Sequence, residues 1–145
     1  MLRLTNLADY GVLLMGEISK NTEIRHSAQE LSKATSMPVP TVSKILNILS
    51  KHGLLTSFRG LKGGFILSRP AEDISLADII AAIDGPIALT HCAEEDPDNC
   101  DYQGMCTIRP HWVIINDTVK AALENVSLKK VTGPTAISKL LEVTE

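Results

Sequence analysis

The chain has 145 residues and a formal net charge of −3, and 44% of its residues are hydrophobic. This length and composition predict one domain with a core of its own, and they argue against a membrane span or a disulfide-stapled miniprotein. An aromatic content of 3% argues against a base-stacking platform for single-stranded nucleic acid.

Two short helices are predicted at the start of the chain. Thr5 can cap a helix over residues 6–19, in which apolar side chains recur at core spacing. Ser27 and Glu30 then have the spacing of a capping box, which predicts a second helix that ends near Thr35. The proline-containing segment after it predicts a turn.

A third helix follows this turn, with Pro40 in its first turn and Gly53 just past its end. Its apolar stripe consists of Val42, Ile45, Leu46 and Leu49. Its other face carries only small, polar or basic side chains, namely Thr41, Ser43, Lys44, Asn47 and Lys51. Surface helices usually mix both signs of charge, so a face without acids indicates a negatively charged partner.

A glycine-rich hairpin is predicted next, with strands over residues 54–58 and 65–68. The glycines between the strands allow a tight turn and a close approach to another surface. Arg59 and Lys62 lie at the tip, without an acid. The loop is not a phosphate-binding P-loop, because neither a Lys-Ser/Thr pair nor a helix follows its glycines.

The second half of the chain predicts two further helices separated by a long loop. Ser75 can cap a helix that Gly85 and Pro86 end, and residues 87–108 are loop. A long helix from Pro110 to about residue 126 follows. Its apolar stripe is Trp112, Ile115, Val119, Ala122, Leu123 and Val126. The remaining residues predict a short final helix or a frayed end.

The order of these elements predicts a mainly helical fold with a small β-hairpin, the winged helix-turn-helix. Residues 1–70 carry a net charge of +5 and the rest −8, which suggests that the first part meets a polyanion. In this fold the helix after the turn enters the major groove of DNA, while the wing reaches the backbone or the minor groove. The predicted DNA contacts are Thr41, Ser43, Lys44, Asn47, Arg59 and Lys62. The competing interpretation is a small helical domain with a solvated face.

Three cysteines, Cys92, Cys100 and Cys106, lie within fifteen residues. Asp9 interrupts the apolar stretch near the N-terminus, so we expect no secretory signal and a cytoplasmic location, where a structural disulfide set is not expected. Structural zinc sites use closer cysteine pairs, whereas a wider spacing on a loop suits an iron–sulfur cluster held by thiolates. A fourth ligand is then missing, and nearby candidates are His91, Asp96, Asp98, Asp101 and His111.

Other interpretations of the cysteines stay open at this point. They can be surface thiols without a ligand role, or thiols that sense oxidation by cross-linking. His91 and Cys92 could form a nucleophile pair, but no base-orienting group supports it, so an enzyme is not expected.

Several motifs together resemble the family of bacterial regulators that includes the iron–sulfur regulator IscR and the nitric-oxide-sensitive repressor NsrR. They are Arg3-Leu4-Thr5, the helix-turn-helix, Arg59-Gly60-Leu61-Lys62-Gly63-Gly64-Phe65, and the three loop cysteines followed by a long helix with Trp112. The similarity covers about residues 1–130. The motifs Pro40-Thr41-Val42-Ser43-Lys44, Gly85-Pro86-Ile87-Ala88-Leu89-Thr90 and Ile108-Arg109-Pro110-His111-Trp112 are most similar to the subgroup that regulates the SUF iron–sulfur assembly operon.

The resemblance implies a homodimer on a palindromic operator, with the long helix as the dimer contact. It also implies that Cys92, Cys100 and Cys106 bind a two-iron or four-iron cluster. The IscR histidine ligand is replaced here by Arg109, whereas the NsrR ligand, an aspartate of the partner subunit, corresponds to Asp9. The resemblance thus favours Asp9 as the fourth ligand, with His111 and His91 as alternatives. Asp9 can equally be an ordinary acid in the first turn of a helix.

The recognition helix departs from IscR, which has a glutamate at the position of Ser43. A different choice of operators is expected from this change. The expected organisation is a DNA-binding domain over residues 1–70, a connecting helix over 71–86, a cluster-binding loop over 87–108, and a dimerisation helix and tail over 109–145. The expected function is a regulator, acting as a repressor, of iron–sulfur assembly genes. Its alternative is a redox, nitric-oxide or zinc-responsive repressor without a cluster.

Overall fold

The structure is a computed structural model and describes residues 3–93, 100, 102 and 104–133. The helices are α1 (Asn6–Ser19), α2 (Ala28–Thr35), α3 (Val39–Lys51), α4 (Leu76–Asp84), α5 (Arg109–Glu124) and α6 (Leu128–Thr132). The strands are β1 (Leu55–Phe58) and β2 (Gly64–Leu67), and short 3₁₀ turns span Ala71–Asp73 and His91–Ala93. No helix in these ranges is long and apolar enough to cross a membrane.

The first three helices begin and end where their local sequence signals predict. The Thr5 hydroxyl accepts a hydrogen bond from the Ala8 N–H at the start of α1. Ser27 and Glu30 form the predicted capping box of α2, with each side chain accepting a hydrogen bond from the other residue's N–H. Each cap satisfies N–H groups that the first turn of a helix otherwise leaves unpaired.

The turn between α2 and α3 depends on two features around Met37. Ser36 has a φ of 59°, the left-handed conformation that ends α2. The Ser32 hydroxyl donates a hydrogen bond to the Met37 carbonyl, and the Met37 side chain is buried. All four members of the predicted α3 stripe, Val42, Ile45, Leu46 and Leu49, are fully buried. The opposite face of α3 is therefore directed away from the core, as predicted.

The hairpin is antiparallel; its first strand starts one residue later than predicted, and its second strand lies one residue earlier. Leu55 pairs with Leu67, and Phe58 pairs with Gly64. The Leu54 N–H donates to the Leu49 carbonyl, so it is used by the end of α3 and not by the sheet. A third segment joins the edge, because the backbone groups of His26 and Phe65 exchange two hydrogen bonds.

The core lies among α1, α2, α3 and α4, and Leu128 of α6 joins it. Gly11 lets α1 and α4 approach closely, since a Cβ there would overlap the Ile83 side chain. The Ile74 carbonyl accepts from the Leu128 N–H at 2.7 Å, and both side chains are fully buried. The predicted short final helix is thus α6, whereas residues 134–145 lie outside the described residues.

The predicted apolar stripe of α5 is only partly covered by its own chain. Asn116 is buried and Trp112, Val119 and Leu123 are half-buried; at spacings of four, three and four residues they form one face. The predicted members Ile115 and Ala122 are exposed on another face. One sequence stripe was inferred from apolar residues that belong to two surfaces, because α5 packs on its own chain along only part of its circumference. The helix also begins at Arg109 and ends at Glu124, slightly earlier than predicted.

Candidate nucleic-acid interface and cysteine segment

The outward face of α3 carries the predicted DNA contacts. Lys44, Asn47 and Lys51 are exposed at spacings of three and four residues, so they share one side of the helix. Thr41 and Ser43 are half-buried beside them, nearer the start of α3. This side combines two positive charges with short side chains that can donate and accept hydrogen bonds, which suits phosphates and base edges in a major groove.

The wing tip lies on the surface and carries the other two predicted contacts. Arg59 and Lys62 are exposed, and Leu61 between them is completely exposed. Gly60 allows the turn with a φ of 100°. The structure therefore brings two cations and one unpartnered apolar side chain to the end of a short hairpin, where they can reach a surface beyond the domain.

Arg25 supports the wing, and the sequence analysis missed this role. Its guanidinium carbon lies 3.8 Å from the centroid of the Phe58 ring, and its Nη1 donates a hydrogen bond to the Lys62 carbonyl at 3.1 Å. Arg25 precedes His26, whose backbone pairs with the edge of β2. No sequence signal links Arg25 to the wing, because 37 residues separate it from Lys62.

Two glycines, one just before β2 and one at its first position, are required by close backbone contacts. A Cβ on Gly64 would lie 2.8 Å from the His26 carbonyl oxygen, and Gly64 has a φ of 144°. A Cβ on Gly63 would overlap the Phe58 carbonyl oxygen. The glycines that predicted a tight turn therefore also allow the 26–65 pairing that attaches the wing to the helical domain.

The three cysteines are free thiols and half-buried. Cys92 lies in the 3₁₀ turn His91–Ala93, and its Sγ is 3.1 Å from the Thr90 hydroxyl. Within the described ranges, no group of three or more His, Cys, Asp or Glu residues is arranged to hold a metal ion. Three thiolates nevertheless match in kind the ligands that iron–sulfur clusters use.

The structure also places the candidate fourth ligands. Asp9 is exposed on α1 and lines a groove between α1 and α6, together with Leu13 and Val131. His91 and His111 are exposed near the two ends of the cysteine segment, which runs from Cys92 to Cys106. The candidates Asp96, Asp98 and Asp101 lie outside the described residues. Asp9 forms no metal-binding group with the described cysteines of its own chain.

Asn116 on α5 holds the chain just before the cysteine segment. Its Oδ1 accepts a hydrogen bond from the Leu89 N–H at 2.9 Å, and its Nδ2 donates to the Ile87 carbonyl at 3.2 Å. Asn116 is only 5% exposed, and it is the one buried residue of α5. The sequence analysis missed it, because a single asparagine in an amphipathic helix carries no signal for a partner 27 residues away.

Comparison with known proteins agrees with this architecture. A model of the Rrf2 family, described as iron-dependent transcriptional regulators, matches residues 4–134. An HTH-type transcriptional regulator of Neisseria meningitidis serogroup A is 29% identical over 133 residues, which cover 90% of this chain and 87% of that protein. The HTH-type transcriptional regulator IscR of Escherichia coli is 26% identical over 133 residues, covering 91% of this chain and 81% of IscR.

A solved structure shows the same fold. CymR, the global cysteine regulator of Bacillus subtilis, superposes with a TM-score of 0.68 at 24% identity, covering 91% of this chain and 97% of CymR. The predicted fold class, mainly helical with a small antiparallel hairpin, is therefore confirmed. The expectation that the chain is not an enzyme is also confirmed, since the two sequence relatives above are transcriptional regulators.

Proposed function

Because the chain belongs to the Rrf2 family of DNA-binding transcriptional regulators, we propose that it represses iron–sulfur cluster assembly genes and senses through a labile iron–sulfur cluster. It acts in the cytoplasm as a homodimer on a palindromic operator. The resemblance to SUF regulators favours the SUF operon as the target. The observation that carries the proposal is the position of three free thiols along the chain, after the winged-helix elements and before α5, which has an exposed apolar face.

DNA binding is assigned to the outward side of α3 and to the wing. Lys44 and Asn47 reach into the major groove, and Thr41 and Ser43 contact phosphates and base edges near the start of the helix. Arg59 and Lys62 reach the backbone or the minor groove. This assignment is supported by their exposure on two adjacent elements and by the absence of acids from α3.

Dimerisation is assigned to the exposed face of α5. Its members are apolar or uncharged, namely His111, Ile114, Ile115, Thr118, Ala121 and Ala122, and all are exposed. Ile114 and Ile115 alone are 64% and 44% exposed. The charged residues Asp117, Lys120 and Glu124 lie along one side of this face. A second copy of the chain would remove the apolar surface from water in a symmetric contact.

The sensing site is assigned to Cys92, Cys100 and Cys106, with Asp9 of the partner subunit as the fourth ligand and His111 or His91 as alternatives. When bound, the cluster supplies iron–thiolate bonds that cross-link the segment and that iron loss or oxidation breaks. Binding through the three thiols would tie Cys92, Cys100 and Cys106 together, between α4 and the dimerisation helix. A ligand from the partner would connect one DNA-binding head to the opposite subunit.

Anaerobic purification tests this assignment. We expect brown protein with iron and sulfide in equal proportion, measured by visible absorption and by iron, sulfide and zinc analysis. Asp9→Ala should release iron faster while the metal-free protein keeps its unfolding free energy, and Asp117→Ala is the matched control at another exposed acid. Colourless protein without sulfide, even after anaerobic reconstitution, would contradict the cluster. An unchanged cluster in Asp9→Ala would contradict the cross-dimer ligand.

A second candidate function keeps the fold and the DNA contacts but changes the sensor. In this version the thiols themselves switch DNA affinity through oxidation, nitric oxide or zinc. It is favoured by the observation that the described cysteines are free and do not form a metal-binding group with other described residues. Zinc without sulfide, or a DNA affinity that changes with thiol oxidation in iron-free protein, would support it over the cluster.

A further inference from the structure

The side chain of Asn116 provides the direct polar contact that the structure shows between α5 and the chain leading into the cysteine segment. Its amide takes one hydrogen bond from the Leu89 N–H and gives one to the Ile87 carbonyl. These are the backbone groups of residues two apart, the pattern by which one strand binds the next. The Asn116 side chain therefore binds residues 87 and 89 as the backbone of a neighbouring strand would.

This contact joins the residues that lead to Cys92 with the helix assigned to dimerisation. Residues 87–89 connect the end of α4 to Thr90, whose hydroxyl lies beside the Cys92 sulfur. On the other side, Asn116 is on the buried face of α5 and directly follows the exposed residue Ile115. A displacement of residues 87–89 would therefore disturb two hydrogen bonds to α5, beside the packing of α5 on the turn His91–Ala93.

Burial makes the contact selective for one arrangement. Asn116 is 5% exposed, and no buried side-chain nitrogen or oxygen in the described residues lacks a hydrogen-bond partner. If residues 87–89 move away, the amide loses both of these hydrogen bonds, which is unfavourable. The amide therefore favours one relative position of the two segments.

We propose that Asn116 is the positioning residue that couples the cysteine segment to the dimerisation helix, and thereby to DNA affinity. The proposal rests on the sensing role proposed above for the cysteines. It requires no contact of Asn116 with DNA or with a cluster, since its amide is occupied by residues 87 and 89.

The test compares Asn116→Leu with the wild type in the cluster-loaded and metal-free forms. In the wild type, the two forms should differ in operator affinity by about 5–150-fold, the usual range of allosteric coupling. In Asn116→Leu the ratio should fall to about twofold or less, while the metal-free form keeps its operator affinity, because α3 and the wing are untouched. Asn125→Leu makes the same chemical change at an exposed position just after α5 and should keep the wild-type ratio.

A second readout needs no cluster. In the metal-free protein, the Leu89 amide should exchange its hydrogen about tenfold faster in Asn116→Leu, because its acceptor is lost. Cys92 should likewise react faster with N-ethylmaleimide, measured for each cysteine by mass spectrometry, while Cys106 keeps its rate. If Asn116→Leu does not fold, Asn116→Asp replaces it: this variant keeps the acceptor for Leu89 and loses only the donor to Ile87, so it should reduce the coupling ratio in part.

The outcomes separate the two proposals. If the wild type shows no difference between its two forms, the sensing proposal fails and the coupling role fails with it. If the wild type shows the difference and Asn116→Leu retains it, the coupling role alone is overturned. Equal loss of affinity in both forms of the variant would also overturn it, since that is the effect of a purely structural residue.

Discussion

One residue outside the hairpin, Arg25, contacts the wing on both sides of its tip. Arg25 covers the Phe58 ring and binds the Lys62 carbonyl, so it holds both ends of the loop that carries Arg59. A short hairpin is marginally stable in water by itself. Bracing by Arg25 lowers the conformational entropy that the wing must lose when it binds DNA.

We expect Phe58→Leu and Arg25→Ala each to lower operator affinity by about 3–10-fold, because each removes the same exposed cation–π contact. Fluorescence anisotropy with a labelled operator measures this at several salt concentrations. Phe58→Leu removes no charge, so the slope of log affinity against log salt should stay unchanged. Arg59→Ala, which removes a proposed DNA contact, should make that slope less steep by about the contribution of one phosphate contact.

A double variant distinguishes bracing from independent contacts. If Arg25 and Phe58 act together, the combined variant should lose little more affinity than either single variant. Fully additive losses would show that Arg25 acts through DNA directly and would refute the bracing role.

A substitution at Gly64 tests the close contact between the wing and the His26 carbonyl. We expect Gly64→Ala to lower the free energy of unfolding by about 1–3 kcal/mol, since the residue has a φ of 144° and its Cβ would meet the His26 carbonyl. Urea unfolding measures the change. Gly104→Ala is the matched control, because nothing lies within 4 Å of a Cβ there. Equal effects of the two substitutions would contradict the close contact seen at Gly64.

At the scale of elements, two helices begin with capping boxes whose carboxylates favour the ionised form. Hydrogen bonds from Ser27 lower the pKa of Glu30 at the start of α2. At α4, burial raises the pKa of Asp78, but hydrogen bonds from Ser75 and the Arg69 guanidinium outweigh burial and lower it. A carboxylate with a lowered pKa stabilises the fold at a pH above its ordinary value, and this contribution is lost as the pH falls through the lowered value.

We therefore expect the unfolding free energy to fall as the pH drops below 4.5 and then 3.8, the ordinary values for Glu and Asp. Asp78→Asn should flatten the lower part of this dependence, because it removes the titrating group. Ser75→Ala should cost about 1 kcal/mol at neutral pH through loss of the cap. Urea unfolding across this pH range is the measurement, with Asp117→Asn as the control, and an unaltered profile in Asp78→Asn would refute the argument.

At the scale of the whole molecule, α5 has two different faces. Trp112 and Asn116 belong to the face toward its own chain, whereas Ile114 and Ile115 are exposed. The exposed face lies on a helix that follows the winged-helix elements in the chain. A second chain bound to this face would therefore fix the distance between the two DNA-binding domains. Operator half-sites on one side of DNA need such a fixed separation.

For the proposed dimer, we expect Ile115→Glu to give a monomer, because the new charges would be buried without partners in a symmetric contact. Size-exclusion chromatography with light scattering measures the mass. Operator affinity should fall by about 100-fold or more, because the two heads then bind separately. Lys120→Glu, at the charged side of the same helix, should remain dimeric, and a dimeric Ile115→Glu would exclude this face as the contact.

The sequence alone determined the elements whose signals are local. The caps at Thr5 and Ser27, the buried stripe of α3 and the glycine turn of the wing each depend on residues within one or two turns of one another. Propensity, capping and hydrophobic period act at that range, so the winged-helix order could be predicted. The candidate DNA contacts followed from it, because they are the polar face of one helix and the tip of one hairpin.

Tertiary structure decided what depends on residues far apart in sequence. Arg25 reaches Lys62, Asn116 reaches residues 87 and 89, and α5 divides its apolar residues between its own chain and solvent. Hydrogen bonds and packing act over a few ångströms in space, whatever the separation along the chain, so a pattern of residue types in one helix cannot show which residue it will meet. The composition of α5 therefore predicted an amphipathic helix, but only the packed molecule distinguished its inner face from the face left open.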